Sequence, residues 1–152
     1  MECSVSGGAS EYLDALYEEY GGFDVRQTTV GVGHGEFDVV RGRPDGMAVR
    51  GRVRGEDGVV ALPDGDGWVL PGGVTDAYPD REAIARLLEG WTGVRCSVEG
   101  LDRVSIVCLQ CDDAPEELWT VSGVFSATAE GGSPRHGAVW RDRSETVAVP
   151  SL

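Results

Sequence analysis

The chain has 152 residues, enough for one domain with a core of its own, and carries 26 Asp and Glu against 13 basic side chains, all arginine, for a formal net charge of −13. Such a surface repels nucleic acid and anionic membranes, so neither is expected as a partner. No stretch approaches the ~18–20 apolar residues of a membrane helix, and MECSVSGGASEYLD lacks the basic and apolar regions of a secretory signal, so a soluble, cytoplasmic protein is expected.

In chain order, SEYLDALYEEY (10–20) has helical spacing, with Tyr12, Leu13, Leu16, Tyr17 and Tyr20 as its stripe, Ser10 as its cap and Gly21-Gly22 as its stop. FDVRQTTVGVGHGEFDVV alternates loosely and predicts two short strands joined by glycines. RGRPDG (41–46) is turn material and the expected boundary between an N-terminal extension, 1–45, and the main domain, 46–152. MAVRGRVRG then alternates strictly, Val49, Gly51 and Val53 on one face and Arg50, Arg52 and Arg54 on the other. Glu56-Asp57-Gly58 predicts a hairpin turn into VVALP, and PDGDG another into WVL. A helix is expected over about 80–91, with Asp80 capping its N-terminus, followed by strands in RCSVEGLDRVSIVCLQ, LWTVSGVFSATA and GAVW.

Cys108-Leu-Gln-Cys111 has metal or redox spacing, but a strand turns such positions to opposite faces, and neither a second pair of cysteines nor a histidine pair completes a tetrahedral set. Buried thiols packed as small hydrophobes are expected, Cys3 and Cys96 standing apart. His34 and His136 are isolated in the sequence. Trp68, Trp119 and Trp140 read as core or pocket-wall aromatics, and Arg50, Arg52 and Trp119 are candidates to hold a phosphate and a base.

Residues 67–94, GWVLPGGVTDAYPDREAIARLLEGWTGV, together with the strands on either side, are similar to the Nudix hydrolase superfamily over roughly 47–145. The resemblance rests on Leu70-Pro71-Gly72-Gly73 and Thr92-Gly93-Val94, the two ends of a motif usually written G-x5-E-x7-R-E-U-x-E-E-x-G-U. It implies a Nudix-like α/β/α sandwich with a mixed β-sheet. In the family, the glutamates of the box hold magnesium ions that bridge a diphosphate, and water attacks phosphorus; hard cations held by carboxylates neutralise the charge gathered there. The lysine-free, acidic composition and the 23–46 segment resemble haloarchaeal proteins, for which molar salt would screen self-repulsion.

Carried over residue by residue, Gly72 or Gly73 opens the box, Arg86 stands at its arginine and Gly93 closes it. The first glutamate position falls on Tyr78 or Pro79. The metal-binding positions hold Leu87, Gly90 and Trp91, while Glu89 occupies the variable place. Where many members have an acidic residue before the tryptophan of the last strand, this chain has Ser133, Pro134, Arg135 and His136. The scaffold is retained and the carboxylates are not. Three readings remain open at this point. The first is a divergent Nudix-fold protein without the usual pyrophosphohydrolase activity and without a cofactor, keeping a pocket for a nucleotide or nucleoside-diphosphate-type ligand. The second is a working hydrolase of nucleoside diphosphate-linked substrates, its Mg2+ site relocated to Asp76, Glu82 and Glu89. The third is a structural or interaction module; a homodimer is compatible with each.

Overall fold

The computed structural model describes residues 7–41, 47–75, 79–112 and 116–142. Cys3, the side chain of Tyr12, most of the RGRPDG boundary, Asp76, Tyr78 and the RSETVAVPSL tail lie outside the described residues.

Helix α1 runs Gly7–Tyr20 and starts three residues earlier than expected, so Ser10 lies inside it and not at its cap. Leu16 is buried in the main core, with Leu13 and Tyr20 packed against it. Tyr17, expected in the same stripe, instead stays outside and stacks on Phe23 at 4.8 Å between ring centroids. Strand β1 (Asp24–Gly31) follows, and then comes a correction. The expected second strand is a helix, α2 (His34–Arg41). Phe37 and Val40 are three apart, a helical spacing, and the Phe37 N–H donates to the Gly33 carbonyl at 3.0 Å. Phe37 is buried against Leu109 and Cys111, with Val40, Val107 and Leu118 around it. A tertiary partner distant in sequence therefore decides a segment whose local pattern is ambiguous.

The remaining elements follow the expected order: β2 (Met47–Gly55), β3 (Gly58–Asp64), β4 (Gly67–Val69), β5 (Gly72–Thr75), α3 (Arg81–Thr92), β6 (Val94–Gln110), β7 (Leu118–Gly132) and β8 (Val139–Arg141). Together the described strands form one mixed eight-stranded sheet, ordered β1-β6-β7-β2-β3-β4, with β5 beside β2 and β8 beside β3. The β1–β6 and β2–β7 pairs are parallel and the others antiparallel. β1 is hydrogen-bonded to β6 along its full length, so residues 24–31 are part of this sheet.

Alternation in the strands separates two faces. Met47, Val49 and Val53 of β2, Val104 and Ile106 of β6, and Val121 and Phe125 of β7 meet Leu16 of α1 and Ile84 and Leu88 of α3 in one core. The opposite face meets α2 at its Leu109 end and carries Arg50, Arg52 and Val124 further along. Helices on both faces of a mixed sheet make the expected α/β/α sandwich.

Arg81 joins three elements at the start of α3. Its guanidinium donates to the Glu99 carbonyl at 2.7 Å and the Val98 carbonyl at 3.3 Å in β6, lies 3.7 Å from Glu19 of α1, and covers the Tyr20 ring. The Tyr20 hydroxyl in turn donates to the Pro79 carbonyl at 2.9 Å. Burial first, and Glu19 second, push that phenol well above its usual range, so it stays a donor.

Gly51 sits between Val49 and Val53 on the inner face, and a Cβ there would fall inside the Leu88 side chain. Gly51→Val is expected to destabilise the fold by roughly 1–3 kcal/mol, as overpacking does. The combination with Leu88→Ala should cost less than the sum of the two single changes, measured by denaturant unfolding.

Candidate functional site

The Nudix-like segment is assembled by β5, α3 and the turn that closes it. Asp80 has extended backbone and its carboxylate accepts from the Ala83 N–H at 2.7 Å, which satisfies one of the free donors of the first turn. The other end stops at Gly93, whose φ of 80° is the left-handed conformation a glycine adopts without strain, and its N–H returns to the Glu89 carbonyl at 2.7 Å. Thr92 is fully buried; its hydroxyl donates to the Leu88 carbonyl at 2.6 Å and accepts from the Val94 N–H at 3.0 Å. Thr92-Gly93-Val94 is thus a helix stop that feeds directly into β6.

The paired glycines of LPGG serve opposite faces. At Gly73 a Cβ would come within 2.7 Å of the Trp91 indole, so this glycine lets Trp91 lie against β5. At Gly72 a Cβ would collide with the Val49 carbonyl and the Arg50 stem, so this glycine lets β5 and β2 approach and gives Arg50 its place. The Arg50 guanidinium then donates to the Leu70 carbonyl at 3.3 Å. Burial pulls its affinity for the proton below the usual arginine value.

Of the three positions that the resemblance matches to metal-binding glutamates, two are used for packing. Leu87 and Trp91 are half-buried and rest against the main core, beside the fully buried Leu88. Gly90 faces open space. Two of the three candidate relocated carboxylates are on the exposed side of α3. Glu82 is 79% exposed and pairs with Arg86 across one helical turn at 2.9 Å, an exposed pair worth about 0.3–0.5 kcal/mol. Glu89 is exposed on the same helix, and Asp76 lies outside the described residues. Among the described residues no group of three or more His, Cys, Asp and Glu is placed to hold a metal ion. The side chains present at 87, 90 and 91 offer no oxygen donors, so the residues do not fit the magnesium cluster that the resemblance implies.

The loop after β7, where the family's later acidic residue would stand, is tied to the end of α3. The Arg135 N–H donates to the Thr92 carbonyl at 2.6 Å, and the Ala138 N–H to the Arg135 carbonyl at 3.0 Å. His136 is exposed, with φ of 57°.

The three ligand candidates are not brought to one place. Arg50 and Arg52 lie on the outer face of the sheet, and Arg52 is 3.8 Å from Asp102. Trp119 packs against the main core on the inner face, as does Trp140. Trp68 lies beneath the Arg141 guanidinium, 4.3 Å from its ring centroid. What the sequence reading passed over is Arg103. It lies opposite Val124 of β7, which in turn lies opposite Arg50, but the Arg50 side chain turns the other way, over Gly72 to the Leu70 carbonyl. The signal for its outer-face place was present, since Arg103 alternates with the inward Val104.

Cys108 and Cys111 are buried as expected. The Cys108 thiol donates to Glu117 at 3.3 Å, and Cys111 packs with Phe37 and Leu109. Burial, with Glu89 and Glu130 nearby, pushes the Cys96 thiol up to about 11. It is therefore no nucleophile near neutral pH.

No family model matches the chain, and no curated protein matches it. Among solved structures it is similar to an ADP-ribose pyrophosphatase from Streptococcus suis, with 17% identity, a TM-score of 0.38, and coverage of 68% of this chain and 69% of that one. A UDP-X diphosphatase matches with 18% identity and a TM-score of 0.46, over 76% of this chain and 61% of that one. A protein from Sinorhizobium meliloti provisionally assigned as an oxidoreductase matches with 15% identity and a TM-score of 0.45, over 64% of this chain and 30% of that one. The chain thus spans less than two thirds of the length of the last two.

Gly90→Glu should be tolerated and stabilising by up to ~1 kcal/mol, from helix propensity in an exposed site. Trp91→Glu should lose roughly 3–5 kcal/mol through the cavity left in its packing and a half-buried charge. Parallel denaturant titrations of the two variants measure the difference. At high pH, the Cys96 contribution is present below its unfolded value near 9 and is lost as the pH rises towards about 11. Stability measured over that window should fall less steeply in Cys96→Ala.

Proposed function

We propose that this chain is a divergent Nudix-like domain that does not carry out magnesium-dependent pyrophosphate hydrolysis and works by binding a nucleotide or nucleoside-diphosphate-type ligand. One observation carries the reading: Leu87, Leu88 and Trp91 form a continuous packing surface between α3 and the sheet, at the helical turn where a metal cluster would need carboxylates. The same turn cannot be both. Placing glutamates at 87 and 91 removes apolar contacts that hold the helix against the core, and leaves charge in half-buried positions.

The acidic, lysine-free composition supports a salt-rich cytoplasm as the working environment, because at molar ionic strength the Debye length contracts to ~3 Å and mutual repulsion among the carboxylates is screened. A second reading, action through a protein partner or a second copy of the chain, is favoured by β1. This strand forms one end of the sheet and is exposed along almost all of its eight residues.

The test is turnover in molar KCl, where the fold is first verified by circular dichroism. ADP-ribose, a dinucleoside polyphosphate and a nucleoside triphosphate are each incubated with Mg2+ or Mn2+. No release of monophosphate above the metal-only rate is expected. Metal-dependent release that disappears in a Glu82→Gln, Glu89→Gln double variant would establish the relocated-carboxylate hydrolase in its place.

A further inference from the structure

The outward edge of β1 carries a row of backbone groups whose direction the ladder fixes. Gly31 stands opposite Gln110 of β6, and the next residue, Val32, donates its N–H to the Gln110 carbonyl at 2.9 Å. A strand in a parallel ladder turns the N–H and C=O of alternate residues toward its neighbour. Even-numbered residues of β1 therefore bond to β6, and Val25, Gln27, Thr29 and Gly31 turn their backbone groups outward. Among the described residues, nothing answers those outward groups.

Proteins blunt an exposed edge with proline, lysine, a bulge or a very short strand. β1 has none of these: it is eight residues long, DVRQTTVG, and pairs with β6 without a register shift, whereas the β6–β7 ladder is shifted at three points. Its composition also suits a like partner. The chain carries a formal net charge of −13, so most of its surface repels a second copy, but in β1 Asp24 and Arg26 cancel. Val25 is exposed at this edge, and just ahead of the strand the exposed Tyr17 stacks on Phe23. A neutral, β-branched edge on an acidic molecule is the surface on which two copies meet with least repulsion.

Antiparallel pairing with a second β1 around a two-fold axis must set outward residues opposite outward residues. Centred on Arg26, it puts the two Arg26 side chains face to face, which is unfavourable. Centred on Gln27, it leaves Gly31 to pair with the partner's Phe23, outside the strand. Centred on Thr28, it matches Val25 with the partner's Gly31 and Gln27 with the partner's Thr29, and each in reverse. Every outward group of β1 is then bonded, and Thr28 meets the partner's Thr28 in a favourable cross-strand pair. We propose that β1 is a homodimer edge, pairing antiparallel with the β1 of a second copy about Thr28, so that two sheets become one. The proposal rests on the second reading above, association through β1, and is independent of ligand binding.

Light scattering on the full chain in molar KCl tests it, and a mass near twice that of one chain, falling on dilution, is expected. Gln27→Pro removes an outward N–H and leaves the bonds to β6 in place, so it should raise the dimer dissociation constant on the order of tenfold or more. Gln27→Ala keeps its backbone groups and should dimerise as the parent does. Thr28→Cys should crosslink under mild oxidation, because a non-hydrogen-bonded antiparallel pair has Cα atoms about 4.5 Å apart, within disulfide reach. Gln27→Cys, roughly 7–8 Å from its counterpart, should not, and the parent with its native cysteines is the control. A dimer in which Thr28→Cys stays uncrosslinked, or which a folded Gln27→Pro leaves unchanged, overturns this interface and leaves association through another surface standing. A parent chain that stays monomeric overturns it too, and leaves a different protein as the partner in the second reading. If Gln27→Pro does not fold, the two cysteine variants decide.

Discussion

How closely α3 can lie on the sheet is the constraint from which the rest of the molecule follows. Leu88 occupies the space a side chain at position 51 would fill, and Trp91 occupies the space above position 73. Helix and strand can approach this closely only where the strand has no side chain to offer. Burial of a large apolar side chain contributes about 1.5–3 kcal/mol, so these two contacts are a substantial fraction of what holds the helix in place. They also explain why glycine stands in the otherwise apolar inner row of β2 and why the helix must stop abruptly, with Gly93 turning the chain into β6 so that Val94 enters the core at once. At this turn Leu87, Leu88 and Trp91 are given to adhesion between the helix and the sheet.

The same economy of space sorts the charges. One face of the sheet is closed by α1 and α3 and is apolar nearly throughout, while the other is covered by α2 at one end and elsewhere carries arginine and serine. In an acidic chain the arginines become the scarce partners, and exposed pairs such as Arg86–Glu82 contribute little. Arg81 is different because its acceptors are backbone carbonyls of β6 and its other neighbours belong to α1. It ties the end of one inner helix to the beginning of the other, and its loss would be felt by both.

Much of this architecture was legible in the residues. Strict alternation in MAVRGRVRG placed Val49, Gly51 and Val53 on one face, and LPGG and TGV marked the limits of the loop and helix between them. Buried cysteines were legible because a strand offers such spacing to opposite faces. The segment 34–41 was not, since its glycines and paired valines fit either period; only Leu109 and Leu118, far along the chain, give Phe37 a reason to be helical. Ser10 was misread as a cap because nothing local distinguishes a capping serine from one within a first turn. Trp119 and Arg50 were grouped by residue type, but strand parity and register put them on opposite faces.

The parallel pairing of β1 with β6 has a consequence for how the molecule is made. Asp24–Gly31 finds its hydrogen-bonding partners in Arg103–Gln110 and, among the described strands, in no other. Those partners are synthesised roughly eighty residues later, so at ~5–20 residues per second the first strand waits about 4–16 s before its ladder can form. The contact also closes a long loop before it is rewarded, which makes its docking a late event in folding. An edge strand made well before its partner is thus docked after it, and the order of synthesis and the order of assembly run in opposite directions.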